Sequence, residues 1–404
     1  MKQDNFLKDK KILLAGQVLN SLTEMAEDYI KDKTAITGVI GISNPFSTPD
    51  TARMTLYKNG SVKINQKIFN LYFKKPEWYS IYLYIPVFVV YLFSMINAAF
   101  KFKVKFDIFV GIAGFSTFVG IILRKLKIVN KVIFYSIDYF PLQRRGFFEN
   151  LMVRAFFLLD AFCARHSDLV WHINPEIAKA RQAYGGLSAD KYRSIRVPLG
   201  YTQDLFCQKS FSKIEKYTLG FVGTLNPNQG LQMAIKAFPL IVQRFPAAKL
   251  EIIGDGFFAE EIRKMARESS ARDKIILHGF ISDRKKVSDI LSHCTVGIAP
   301  WTMDAENNVR YADPGKPKHY AFCGLPVIIT RCNIIADEIE EVKSGIAINY
   351  DENEFVLAVT KLFSNEAMLI EYKENALKFA RRYESNSIYE KAWQESMKYF
   401  CDGK

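Results

Sequence analysis

Short apolar runs alternate with helical patterns along the first half of the chain. KILLAG (11–16), AITGVIGIS (35–43), DIFVGIAG (107–114), KVIFYSID (131–138) and DLVWHIN (168–174) have strand-like length and composition. Residues 18–31, 81–100, 115–127, 147–166 and 175–184 carry helical periodicity. This alternation predicts a parallel sheet with helices on both faces. RSIRVPLGY (193–201) closes the half, and the polar stretch TQDLFCQKSFSKIEK (202–216) predicts a linker. The rhythm then restarts with TLGFVGTL (218–225), KLEIIGDG (249–256), KIILHGF (274–280), TVGIAP (295–300), PVIIT (326–330) and GIAINY (345–350) as strands, and 352–400 is largely helical. The expected fold class is α/β. Two doubly wound Rossmann-like domains, 1–200 and 217–385, are joined by 201–216 and face a cleft, with ligands at the carboxyl ends of the strands.

One segment admits a second reading. Tyr79 to Phe100 holds 22 residues without a charge, flanked by Lys74, Lys75, Lys101, Lys103 and Lys105. At ~1.5 Å per residue a helix of this length reaches across a ~30 Å hydrocarbon core. Pro86 interrupts it, and positive charge on both flanks gives no orientation. The strand-like runs before and after it also belong to one sheet, which cannot lie on both sides of a bilayer. The expectation is a helix buried in the core or embedded at a membrane interface, not a span.

The length of 404 residues fits two domains, and 49% hydrophobic content excludes a disordered chain. The net charge of +13 is unevenly placed. Residues 1–200 carry 28 Lys+Arg against 15 Asp+Glu, and residues 201–404 carry 27 of each. The first half is therefore expected to meet an anionic partner. The aromatic, Lys-flanked run 68–105, with Trp78, Lys101 and Lys103, suggests an anionic leaflet, against the alternative of a core helix with solvated ends. No nucleic-acid module appears, so no nucleic-acid partner is expected. Six cysteines form no CxxC or zinc pattern and are read as reduced thiols. The charged N-terminus lacks a secretory h-region, so a cytoplasmic protein, peripheral on the inner face of the cell membrane, is expected. There is no Asp-x-Asp motif, and neither a metal nor another cofactor is expected.

FVGTLNPNQGLQMAIKAF (221–238), LEIIGDG (250–256), IILHGFISD (275–283), VGIAPW (296–301) and DPGKPKHYAFCGLPVIIT (313–330) follow one another in fixed order. Together they resemble the nucleotide-sugar-binding half of GT-B glycosyltransferases, family 4 and its relatives. VPLGY near the junction fits as well, and the resemblance covers nearly all of 193–385. KVIFYSIDYFPLQRR is similar to a segment of membrane-associated polysaccharide glycosyltransferases such as the xanthan glucuronosyltransferase. The resemblance implies metal-independent transfer of a sugar from a nucleotide diphosphate sugar, with a UDP-sugar favoured. The implied acceptor is a hydroxyl of a membrane-anchored saccharide or lipid-linked acceptor in surface polysaccharide assembly. It also implies that the final helix, 386–404, packs back on the first domain.

A diphosphate needs positive potential, supplied by backbone N–H groups at a helix start and by a fixed cation. Gly223 and Gly230 bracket such a turn, with Thr224 inside it. Lys316 in DPGK is the candidate cation, and the resemblance implies phosphate contacts from Lys316, His319 and Tyr320. The sequence departs from the family 4 pattern where Thr224 and Gln229 replace the usual Arg and Lys, and where Tyr311 and His319 replace the Glu-x7-Glu pair. Arg310 is a possible second cation. Asp138 is either the general base implied by the resemblance or a strand-end turn residue. Arg144 and Arg145 either hold an anionic acceptor or form a solvated loop pair. His319 either touches the donor or caps structure. Gly254, Asp255 and Gly256 read as a tight turn, and Cys323 as a packing residue. His166, His172, His278 and His293 read as structural. Two other classes remain open: a nucleotide-sugar epimerase on this scaffold, and a non-catalytic nucleotide-sugar or glycan-binding protein.

Overall fold

The structure is a computed structural model that describes residues 6–17, 21–43, 52–69, 71, 80–139, 146–304 and 308–402. The chain divides into two units, Met1–Leu199 with Ile388–Lys404, and Gly200–Ser387.

The first unit runs β1 (Lys11–Gln17), α1 (Ser21–Ile30), β2 (Ile36–Ile42), β3 (Arg53–Lys58), β4 (Ser61–Lys67), α2 (Ser80–Lys101), β5 (Phe106–Ile112), α3 (Ala113–Lys125), β6 (Val129–Ser136), α4 (Phe147–His166), β7 (Leu169–His172), α5 (Glu176–Gly185) and β8 (Ser194–Arg196). Its sheet has the order β4-β3-β2-β1-β5-β6-β7-β8. The six strands from β2 to β8 are parallel, and their nearly unbroken apolar runs suit a sheet covered on both faces. The β3–β4 hairpin is antiparallel and lies outside the expected strand set. Its turn residues Asn59 and Gly60 have φ of 49° and 76°, the positive pair that tight hairpins favour. β4 is exposed over almost its whole length, so it carries no apolar alternation to betray it.

α2 buries Val87, Tyr91, Met95, Ala98 and Ala99 in the core of this unit. Its other face leaves Phe88, Val89, Phe93 and Phe100 exposed. Among the described residues, no helix is long and apolar enough to cross a membrane.

A buried polar cluster ties α4, α5, β6 and β7 together. Arg181, 0% exposed, donates from Nε to Asp160 Oδ2 at 2.5 Å and from a terminal nitrogen to Oδ1 at 3.1 Å. It also donates to His172 Nε2 and Tyr192 Oη, each at 2.8 Å, and to Ser136 Oγ at 3.0 Å. Burial, with the Arg181 charge beside it, pushes the His172 pKa down to about 3, so the ring is neutral and accepts this bond. Arg181→Met strands the Asp160 carboxyl and is expected to cost ~3–5 kcal/mol, measured by urea unfolding. A loss below ~1 kcal/mol would contradict this account.

The second unit runs β9 (Thr218–Val222), α6 (Leu231–Arg244), β10 (Lys249–Ile253), α7 (Ala259–Glu268), β11 (Ile275–Gly279), α8 (Arg284–His293), β12 (Val296–Ala299), α9 (Gly315–Phe322), β13 (Val327–Thr330), α10 (Ile334–Glu341), β14 (Gly345–Ile348), α11 (Glu352–Phe363) and α12 (Glu366–Arg381). Its all-parallel sheet has the order β11-β10-β9-β12-β13-β14. The winding reverses between β9 and β12, and such a switch point opens a crevice at the carboxyl ends of the two strands.

The last helix, α13 (Ser385–Asp402), belongs to the first unit from Ile388 onward. Trp393 meets Trp171 edge to face at 5.2 Å, and Trp171 Nε1 donates to Ser396 Oγ at 3.0 Å. Tyr389 Oη donates to the Leu22 carbonyl at 3.3 Å.

Candidate donor-binding site

The switch point of the second unit is held open by a side chain. β9 and β12 pair only at Leu219–Val296 and Gly220–Gly297. Beyond that register the Tyr320 hydroxyl stands in for the ladder, donating to the Ile298 carbonyl at 2.9 Å and accepting from the Val222 N–H at 3.1 Å. Tyr320 is fully buried. The expected phosphate contact is therefore corrected: its hydroxyl is committed to the two strands, and it shapes the crevice without lining it.

Two glycines let backbone close around this point. Gly230 has φ 72°, and a Cβ there would stand 1.6 Å from the Pro300 carbonyl oxygen, so the loop after β9 seats directly on the segment after β12. Gly223 has φ 151°, and a Cβ there would stand 2.9 Å from Lys316 Nζ. Part of the expected backbone cradle is spent, however. Gly223 N–H donates to the Ile253 carbonyl at 3.0 Å, Leu225 N–H to the Asp255 carbonyl at 2.9 Å and Gly230 N–H to the Pro227 carbonyl at 3.1 Å. Thr224 is exposed on this loop. With those N–H groups engaged, a fixed cation gains importance for attracting a diphosphate.

The candidate cation is Lys316, in the first turn of α9. Its ammonium lies 4.2 Å from the centre of the Phe221 ring and 5.2 Å from that of Trp301. It donates to Gln229 Oε1, which also accepts from Trp301 Nε1 at 3.1 Å. No carboxylate pairs with it among the described residues, and burial alone lowers its pKa to about 7. A desolvated lysine held only by an amide oxygen and two ring faces lacks a counter-charge, which an anion would supply. Two residues on, Lys318 is already satisfied: it pairs with Asp313 at 2.5 Å and sits 4.2 Å over the Tyr383 ring.

The remaining candidates separate. His319 packs edge to face on Phe206 at 4.9 Å, and its Nε2 is buried without a hydrogen bond. Burial, then the Arg284 charge, lowers its pKa to about 4, so it is neutral and is no phosphate cation. Arg310 is exposed on a short turn whose backbone is pinned by the Asn333 amide, which donates to the Ala312 carbonyl at 3.0 Å. In the first unit, Asp138 lies two residues beyond β6 and reaches solvent, yet the protein mass around it raises its carboxyl pKa. Tyr139, next to it, is buried and stacks on Phe157 at 5.3 Å. Lys101 and Lys103 are exposed at the end of α2. Trp78, Arg144 and Arg145 lie outside the described residues. Sequence reasoning missed Phe221 and Trp301 as walls, and it read Gln229 only as a departure. The one available signal was VGIAPW, where an aromatic stands two residues beyond a strand end.

The sequence profile described as Glycosyl transferases group 1 matches residues 216–365, which contain the whole Lys316 cluster. This stretch is a glycosyl transferases group 1 domain. The poly(glycerol-phosphate) alpha-glucosyltransferase of Bacillus subtilis (strain 168) is 25% identical to this chain over 186 residues, 44% of this chain and 25% of that protein. The chain spans a quarter or less of the length of its curated relatives. Among solved structures, sucrose-phosphate synthase from Thermosynechococcus elongatus superposes with a TM-score of 0.72 at 14% identity, covering 97% of this chain and 100% of that one. Anabaena Alr3699/HepE, solved in complex with UDP-glucose, gives a TM-score of 0.66 at 14% identity, covering 96% and 100%. At such identity the likeness carries the fold. The fold is that of GT-B glycosyltransferases, and the family match covers residues 216–365.

Proposed function

We propose that this protein transfers a sugar from a UDP-sugar to a hydroxyl of a membrane-anchored saccharide or lipid-linked acceptor in surface polysaccharide assembly. The observation that carries the donor half is Lys316, a half-buried lysine without a carboxylate partner among the described residues at the switch point of the second unit. UDP is favoured because Alr3699/HepE was solved with UDP and with UDP-glucose. In the proposed reaction the acceptor oxygen attacks the anomeric carbon while the bond to the diphosphate breaks. The bond's electron pair leaves with the diphosphate, whose charge the Lys316 ammonium stabilises. The acceptor proton passes to the Asp138 carboxylate. With Asp138 as base, in-line attack inverts the anomeric centre. The anionic acceptor and a peripheral place on the inner face of the cell membrane rest on the charge excess of residues 1–200 and on the exposed apolar face of α2.

The test is release of UDP from a panel of UDP-sugars with and without membrane lipid extract. Lipid-dependent release from one donor is expected. Failure with every donor, alongside normal UDP binding, would replace transfer with donor binding alone. UDP at a hundred times its dissociation constant is expected to stabilise the fold by ~2.7 kcal/mol, read as a thermal shift that GDP does not match.

A further inference from the structure

We propose that the groove between the end of β4 and the outer face of α2 docks the protein onto an anionic phospholipid bilayer. This deepens the membrane-anchored acceptor reading above and rests on it. The groove encloses about 520 Å³, with Phe69, Val89 and Phe93 among its apolar walls and Asn97, Lys67 and Lys101 among its polar lining. Phe69 and Phe93 are each 67% exposed, and Phe100, one residue before Lys101, is 53% exposed. A helix that is apolar all round normally has both faces covered. Among the described residues, the core of its own unit covers one face of α2, and Val89, Phe93 and Phe100 on the other are exposed. The groove is braced from within: Ser94 Oγ donates to the Phe69 carbonyl at 2.8 Å, and Tyr91 Oη donates to the Leu71 carbonyl at 3.2 Å.

Charge selects the occupant. Residues 52–106 contain nine Lys+Arg and one Asp+Glu. Lys63 and Lys67 are exposed on the edge strand β4, and Lys101 and Lys103 are exposed at the end of α2. Lys67 and Lys101 line the groove beside the exposed rings of Phe69 and Phe93, so phosphates can meet the ammonium groups while acyl chains meet the rings. Each lysine brought to an anionic surface raises partitioning roughly fivefold, and salt screens that gain.

The experiment uses the full chain and vesicles of phosphatidylcholine with or without phosphatidylglycerol, read by co-sedimentation at low and high salt. Binding only to the anionic vesicles, weakened about tenfold or more by high salt, is expected. Lys67→Glu with Lys101→Glu should remove most of it at low salt. Phe69→Ser with Phe93→Ser should weaken it about tenfold without lowering the melting temperature, since both rings already face water. Equal pelleting with neutral vesicles, or variants that bind like the wild type, would overturn the proposal. So would a wild-type dimer in solution that Phe93→Ser dissociates, because the groove would then belong to a second copy. UDP calorimetry on the wild type, without vesicles, tests the donor-binding half of that reading separately, and UDP release with detergent-solubilised lipid extract tests transfer.

Discussion

Asp138→Asn is expected to lower kcat about a hundredfold or more while leaving UDP affinity unchanged. The substitution keeps the shape of the side chain and removes only its capacity to take a proton. The raised carboxyl pKa makes Asp138 a stronger base than a freely solvated aspartate, and it fixes the direction of the pH response. The proposed reaction requires the carboxylate, so activity should fall as pH drops through that raised pKa. The folded state holds this proton more tightly than the unfolded chain. The ionised group therefore weakens the fold as pH rises from the ordinary aspartate range through the raised value. Asp138→Asn should then be as stable as the wild type at neutral pH, or more stable. A variant that is inactive and also destabilised would point to a structural turn residue. Unchanged turnover would remove Asp138 from the chemistry.

Lys316→Ala is expected to weaken UDP binding by about 10- to 100-fold, since a hydrogen bond to a charged group contributes ~1.5–3 kcal/mol. Turnover should fall further, because charge on the departing diphosphate grows as the bond breaks. Burial of the ammonium is costly to the protein itself. Its pKa of about 7 lies below that of an unfolded lysine, so stability rises with pH from about 7 toward the ordinary lysine range. Removing it should stabilise the fold at pH 7 while it damages function, the exchange expected of a binding group. Gln229→Glu serves as a companion variant. It gives the ammonium a permanent partner, which should raise its pKa and compete with the diphosphate. Equal UDP affinity in the wild type and in Lys316→Ala would exclude the lysine from the site.

Much of the fold was legible because its strands are buried on both faces and read as apolar runs, from KILLAG to GIAINY. The β3–β4 hairpin escaped because β4 faces water, and its only signal was Asn59-Gly60. At the site, Lys316 was legible because DPGK places a cation at a helix start. Tyr320 was misread because its partners, Val222 and Ile298, lie on strands 98 and 22 residues away. A phenol beside a candidate phosphate ligand gives no sign in sequence that its hydroxyl is already used. The same holds for the N–H groups of Gly223 and Leu225, which the last residue of β10 and the chain after it claim. Gln229 stood out only as a missing lysine. In space its amide holds Lys316, a position where a second ammonium would repel the first.

The central claim is that Lys316 supplies the positive charge that holds the donor diphosphate. Calorimetric UDP affinity as a function of pH, in the wild type and in Lys316→Ala, tests it most directly. The ionisation of the terminal phosphate near pH ~6 cancels in the ratio of the two affinities. The account predicts a ratio that is largest below pH 7 and declines as pH rises above it, with proton uptake on binding in the wild type alone. A ratio near one at every pH would contradict it.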